Sequence, residues 1–193
     1  QSTVKASQDL AGTQASEIVD EVLALIAQDG CTDEEFDRLA LRLFAYQYAH
    51  NEAYRRFSLR RGTTLRHVKG WRDIPAAPID AFKELSLSCQ PPSPLDRVFM
   101  TSGTTRGEVK GRHRHPTLAV YDTSMRLNFA RRFMQGTARI RMGILYPTET
   151  ALPNSSLAHY LALALREFGP ADSGCFVAPP GLASHRLCAA RTA

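Results

Sequence analysis

The stretch that most constrains this chain is Thr101 to His115, TSGTTRGEVKGRHRH, where hydroxyls, glycines and positive charge are packed most densely. It follows Arg97-Val98-Phe99-Met100, a short β-prone run with a hydrophobic centre, and it ends at Pro116, after which a helical pattern takes over. The predicted order is strand, polar loop, helix. Gly103 and Gly107 let the backbone turn tightly and approach a ligand, and Thr101, Ser102, Thr104 and Thr105 offer hydroxyls beside main-chain N–H groups. Arg106, Lys110, Arg112 and Arg114 surround them, with only Glu108 in opposition. This is the chemistry of a phosphate cradle. It is not a Walker loop, because Lys110 is followed by Gly111 and Arg112 rather than Ser or Thr, and no GxGxxG fingerprint is present. A Ser/Thr/Gly-rich segment is also, on residue chemistry alone, compatible with an ordinary solvated turn.

The remainder of the chain alternates helical and strand-like patterns. Residues 1–13 are small and polar without periodicity and read as a loose lead-in, ahead of one domain over residues 14–193. Ile18, Val19, Val22, Leu23, Leu25 and Ile26 give an apolar stripe that Gly30 ends. Thr32 with Glu35 forms a capping box for a helix whose face carries Phe36, Leu39, Leu43, Phe44 and Tyr48. His50 and Asn51 near its end read as helix-terminal groups rather than catalytic ones. Pro75 and Pro78 hold the next segment extended or turned before a short helix with Phe82 and Leu85, and Trp71 reads as an anchor for it.

Beyond the polar loop, Leu118, Tyr121, Met125, Phe129 and Phe133 mark a long helix, and Arg139 to Tyr146 is the next strand candidate. Leu157 to Leu165 is a helix capped by Ser155 or Ser156 and terminated at Gly169, with His159 near its first turn. Cys175-Phe176-Val177 reads as a short strand and Leu182 to Ala190 as a final helix. The repeated strand-then-helix order predicts an α/β fold, with a helical N-terminal segment followed by a partial, mainly parallel sheet flanked by helices.

Composition limits the function classes. At 193 residues, 44% hydrophobic and 22% charged, the chain has ordinary globular composition. No apolar run is long enough for a membrane span, and the N-terminal residues lack the charged-then-apolar order of a signal peptide, so the expected location is the cytoplasm. Cys31, Cys89, Cys175 and Cys188 form no CxxC pair and read as free buried thiols, not as metal ligands or a disulfide framework. The net charge of +5 is unevenly spread. Arg55, Arg56, Arg60, Arg61, Arg66, Lys69 and Arg72, with His67, lie in one stretch with no acidic residue between them. Such a block attracts anions. A solvated basic face, an anionic substrate or carrier, and a nucleic-acid-binding module all follow from it; the spacing of Tyr54, Phe57 and Trp71 suits helix packing, so nucleic acid is not the expected partner.

TSGTT with a following glycine and a downstream lysine resembles the phosphate-binding signature of the acyl-adenylate-forming enzymes, although the common pattern has glycine where this chain has Arg106. Tyr54-Arg55-Arg56-Phe57, the run from Trp71 to Lys83 (WRDIPAAPIDAFK), Ser155 to His159 and Ser173 to Val177 resemble one branch of that superfamily, the acyl-protein synthetases. These are the fatty-acid-activating components of bioluminescence fatty-acid reductases. The likeness runs from about Phe36 to the C-terminus.

The resemblance implies ATP-dependent activation of a fatty acid or other carboxylate as an acyl-adenylate, with Mg2+ as cofactor. Transfer to a protein cysteine and an acyl-protein reductase partner would follow. It implies that Thr101, Ser102, Gly103, Thr104, Thr105 and Gly107 hold phosphates, that Lys110 and Arg112 add catalytic charge, and that His159 belongs to the acyl pocket. It further implies an N-terminal portion only. The adenine contacts, the mobile lysine subdomain and the acyl-accepting cysteine are expected beyond residue 193, and the chain by itself is expected to be inactive. An acyl-CoA ligase fragment is the close alternative.

Overall fold

The described part of the protein, residues 2–101 and 110–176 of a computed structural model, is built from helices with two small sheets between them. The helices are α1 (Ser2–Ala27), α2 (Asp33–His50), α3 (Glu52–Arg60), α4 (Ala81–Glu84), α5 (Ala119–Phe129) and α6 (Ser156–Phe168). The strands are β1 (Arg97–Met100), β2 (Arg112–His115), β3 (Gly143–Ile144) and β4 (Gly174–Cys175). The class is mixed α/β.

Local chemistry accounts for most helix boundaries. Thr32 accepts the Glu35 N–H on its hydroxyl while Glu35 accepts the Thr32 N–H at 2.8 Å, so the capping box starts α2 where the sequence places it. Asn51 ends α2 and caps α3, accepting the Tyr54 N–H at 2.9 Å; His50 packs its ring on Tyr46. Both terminal residues are structural. Ser155 starts α6 by accepting the Ala158 N–H at 3.1 Å, and Gly169 follows its last residue.

The backbone of α1 is helical from Ser2, not from residue 14. The polar lead-in carries no apolar period to announce a helix, yet a helix already formed over an anchored segment extends at little cost. The anchored segment is the later one: Ile18 is buried, and Arg42 of α2 reaches Glu17 and Glu21 of α1. Downstream, α5 ends earlier than the stripe through Phe133 predicts, passing into a π-helical turn over Ala130–Met134. It then stops at Gln135 and Gly136, both with positive φ.

Two apolar clusters form the core. Phe44, Tyr54 and Val68 bind α2, α3 and the following turn, with Ile74 and Ala77 packed against them. The Tyr54 hydroxyl donates to the Pro75 carbonyl at 2.8 Å, tying the proline segment down. Trp71 anchors the same segment from its other end, edge-on to Phe36, its N–H donating to Asp37 at 2.7 Å. Met125, Phe129, Met134, Leu163 and Ala164 form the second cluster between α5 and α6, with Phe168 stacked on Phe129.

The strands depart furthest from expectation. The polar segment does not run as a loop as far as Pro116, because its last residues, Arg112 to His115, are β2. This strand pairs antiparallel with β1, with Arg97 opposite His115 and Met100 opposite Arg112. Four polar residues in a row give no apolar alternation, which is why the strand is invisible to periodicity. Arg139 to Tyr146 contracts to the two residues of β3, parallel to β4, while the flanking N–H groups of Ile140 and Met142 bond to the Phe168 carbonyl and the Ser173 hydroxyl. The described strands thus form one antiparallel and one parallel pair rather than a single mainly parallel sheet. Val177 and the predicted helix over Leu182 to Ala190 lie outside the described residues.

Candidate functional site

The β1–β2 hairpin fixes the two ends of the hydroxyl-rich loop. Thr101 donates its N–H to the Gly111 carbonyl and accepts the Gly111 N–H on its hydroxyl, both at 3.0 Å, so the mouth is closed by a reciprocal pair. Gly111 is buried there, and a Cβ on it would lie 3.2 Å from the Thr101 methyl and 3.6 Å from Phe82. The close approach of three backbones explains the glycine. On its other side the hairpin is held by the Met100 N–H, which donates to the Asn154 carbonyl just before α6.

Against β2 lies a pocket of about 440 Å3, walled on the opposite side by the segment from Phe82 to Ser88 and by Pro92. Its β2 wall is cationic, with Lys110, Arg112 and Arg114, and carries His113 and His115. Arg114 faces Asp96 at 3.9 Å, and Lys83 pairs with Asp80 at 3.0 Å. Lys110 and Arg112 have no carboxylate partner among the described residues. His113 stacks on Phe82 with ring centroids 4.0 Å apart. Burial pushes the His115 imidazole below the ordinary histidine range, and the neighbouring His113 adds to the effect. A concave, cation-rich wall beside apolar Phe82, Leu87 and Pro92 suits an organic anion.

Of the residues predicted to hold phosphates or add charge, Lys110 and Arg112 line this pocket, and Thr101 is bonded to Gly111 at the end of the hairpin. Ser102, Gly103, Thr104, Thr105 and Gly107 lie outside the described residues, as does Arg106. His159 lies elsewhere. It is buried, 7% exposed, and both of its ring nitrogens face carboxylates: Nδ1 is 2.8 Å from Glu149 and Nε2 is 2.8 Å from Asp122. Arg97 of β1 donates to the same Glu149 oxygen at 2.7 Å.

This polar chain joins α5, α6, β1 and the loop after β3. Phe99 and Tyr121 cover the imidazole on its flanks, and the same two rings contact His115 in the pocket wall. The His159 cluster therefore backs the pocket wall without opening into it.

Arg97, Asp122 and Glu149 carry no sequence signal for this role. Asp122 and Glu149 are separated from His159 by 37 and 10 positions and share no motif with it. Cys31 is exposed rather than buried, and Cys89 and Cys175 are only partly buried; Cys89 is not activated, because burial pushes its thiol above the ordinary range, which keeps it protonated. Among the described residues no group of three or more His, Cys, Asp or Glu is arranged to hold a metal ion, and no helix is long and apolar enough to cross a membrane. No protein-family description matches the chain, and neither the curated proteins nor the solved structures contain a significant match to it.

Proposed function

We propose that this chain is the phosphate-binding portion of a carboxylate-activating, adenylate-forming protein of the acyl-protein synthetase type. The observation that carries this reading is the hairpin, which ties together the two ends of the hydroxyl- and glycine-rich segment and sets Lys110 and Arg112, both without carboxylate partners among the described residues, in the wall of the adjoining pocket. In the reaction a carboxylate oxygen bonds to the α-phosphorus of ATP and the bond to pyrophosphate breaks. Negative charge grows on the departing β and γ phosphates. Backbone N–H groups, hydroxyls and cations aimed at those oxygens lower the transition state more than the ground state.

In this reading Ser102, Gly103, Thr104, Thr105 and Gly107 cradle the phosphates, and Thr101 keeps the cradle closed with the oxygen that accepts from Gly111. Lys110 and Arg112 supply the flanking positive charge. A magnesium ion bound with the nucleotide would supply further charge neutralisation beside Lys110 and Arg112. A fatty acid is the expected carboxylate and an acyl-protein reductase the expected downstream partner.

Calorimetric titration with Mg-ATP tests the reading. The wild-type chain is expected to bind, and Thr104→Ala with Thr105→Ala, or Lys110→Ala with Arg112→Ala, is expected to weaken binding at least tenfold, equivalent to about 1.4 kcal/mol or more. A folded wild-type chain that binds no nucleotide, or binding indifferent to both double variants, overturns it.

A further inference from the structure

The basic stretch from Arg55 in α3 to Arg72 is separate from the hairpin pocket, and its surroundings differ from those of a merely solvated face. Among its cations only Arg56 has a carboxylate side-chain partner among the described residues, Glu52 at 3.7 Å. Two other acids of this region accept hydrogen bonds from the main chain. Asp37 accepts the Trp71 N–H, and Asp73 accepts the N–H groups of Lys69 and Gly70 at 2.9 and 3.1 Å. Those two backbone hydrogen bonds hold the Asp73 carboxyl below its usual range, the sign of a carboxylate committed to the main chain. Arg60, Arg66 and Lys69 are thus left without an ion-pair partner among the described residues, free to meet carboxylates from outside the chain.

Apolar side chains are exposed along the same stretch. Leu59 and Leu65 are each about half exposed, at 50% and 48%, and Trp71 is also open to solvent. The guanidinium groups of Arg61 and Arg72 lie over the rings of Phe57 and Trp71, 4.9 and 4.3 Å from their centroids. A surface that binds single-stranded nucleic acid uses open aromatic faces as stacking platforms. Here a guanidinium already covers one face of each ring, and exposed leucines have no role against phosphate. Tryptophan and arginine are the anchors enriched in protein-binding patches, and the exposed leucines add apolar area that a protein partner would cover.

We infer that the surface running from Leu59 to Arg72 docks an acidic protein partner, one that presents carboxylates to Arg60, Arg66 and Lys69 and apolar side chains to Leu59, Leu65 and Trp71. Charge complementarity selects the partner, and the apolar contacts give the complex its lifetime. The inference does not depend on nucleotide binding by the hairpin.

The test is fluorescence anisotropy with labelled probes: a helical peptide with glutamates on one face and leucines on the other, its leucine-to-serine counterpart, and single- and double-stranded oligonucleotides. The Glu/Leu peptide is expected to bind, and its leucine-to-serine counterpart to bind at least tenfold more weakly. Arg60→Glu with Arg66→Glu, and separately Leu59→Ser with Leu65→Ser, are each expected to weaken the first probe at least tenfold. All four positions are exposed, so unchanged circular dichroism and an unchanged melting midpoint are required of both variants. Failure of the Glu/Leu peptide to bind the folded wild-type chain overturns the inference. So does binding of equal strength by the serine peptide, or tighter, salt-steep binding of an oligonucleotide that ignores the leucine substitutions; that last outcome marks a nucleic-acid surface.

Discussion

His159 illustrates how much a single side chain depends on its surroundings. By position it is a residue in the first turn of α6; in the fold it is the centre of a polar chain linking Asp122, Glu149 and Arg97. Removing the imidazole leaves two carboxylates facing an apolar gap. Both are about one-third exposed, so water relieves part of the penalty. His159→Leu is expected to lower unfolding stability by about 2 kcal/mol, read as a shift of the urea midpoint at unchanged slope. Asp122→Asn keeps a hydrogen-bonding partner for the ring and is expected to cost about half as much. A His159→Leu protein as stable as wild type would show that the four elements are held together by apolar packing alone.

Among the elements, the β1–β2 hairpin organises the candidate site, and Gly111 is its tightest point. An alanine Cβ there meets the Thr101 methyl at 3.2 Å with Phe82 close behind, so one strand end must give way by a few tenths of an ångström. Gly111→Ala is expected to cost about 1–2 kcal/mol in unfolding stability. If the hairpin serves the proposed nucleotide site, the same change also weakens Mg-ATP binding, because it disturbs the reciprocal Thr101–Gly111 pair that closes the loop. Gly30→Ala is the control, since its Cβ meets nothing within 4 Å and its φ is not positive. Equal melting midpoints for the two variants would remove the steric account of Gly111. This hairpin also shows the limit of periodicity: β1 announces itself by its apolar centre, whereas β2 is polar throughout and exists because β1 offers it an edge.

At the scale of the molecule, acidification tests whether the pocket wall stays buried. The folded His115 imidazole has its pKa lowered by burial, so as pH falls the unfolded chain takes up the proton first, near the ordinary value of about 6.5. The contribution of this residue to stability is complete above that value and declines as pH falls through it toward the lower folded pKa. Urea midpoints measured from neutral pH to the mildly acidic range should fall more steeply for wild type than for His115→Phe. Parallel curves would show that the ring is solvated. The His115 environment is a whole-molecule property, since the rings beside it, Phe99 and Tyr121, come from β1 and α5.

What the amino-acid order determined by itself is local. The Thr32–Glu35 box starts α2, Ser155 starts α6, and Asn51 joins α2 to α3, because each is a contact between residues three apart that forms wherever those side chains meet a helix end. The density of hydroxyls and charge at Thr101 to His115 was equally plain, and with it the candidacy of Lys110 and Arg112. Tertiary structure alone decided that these two cations share a wall with His113 and Arg114, that β2 pairs antiparallel with β1, and that Arg97 meets Glu149 across 52 positions and Asp122 meets His159 across 37. Those contacts depend on how α5, α6 and the hairpin dock through apolar faces tens of residues apart. A local pattern records which face is apolar, but not which other face will bury it.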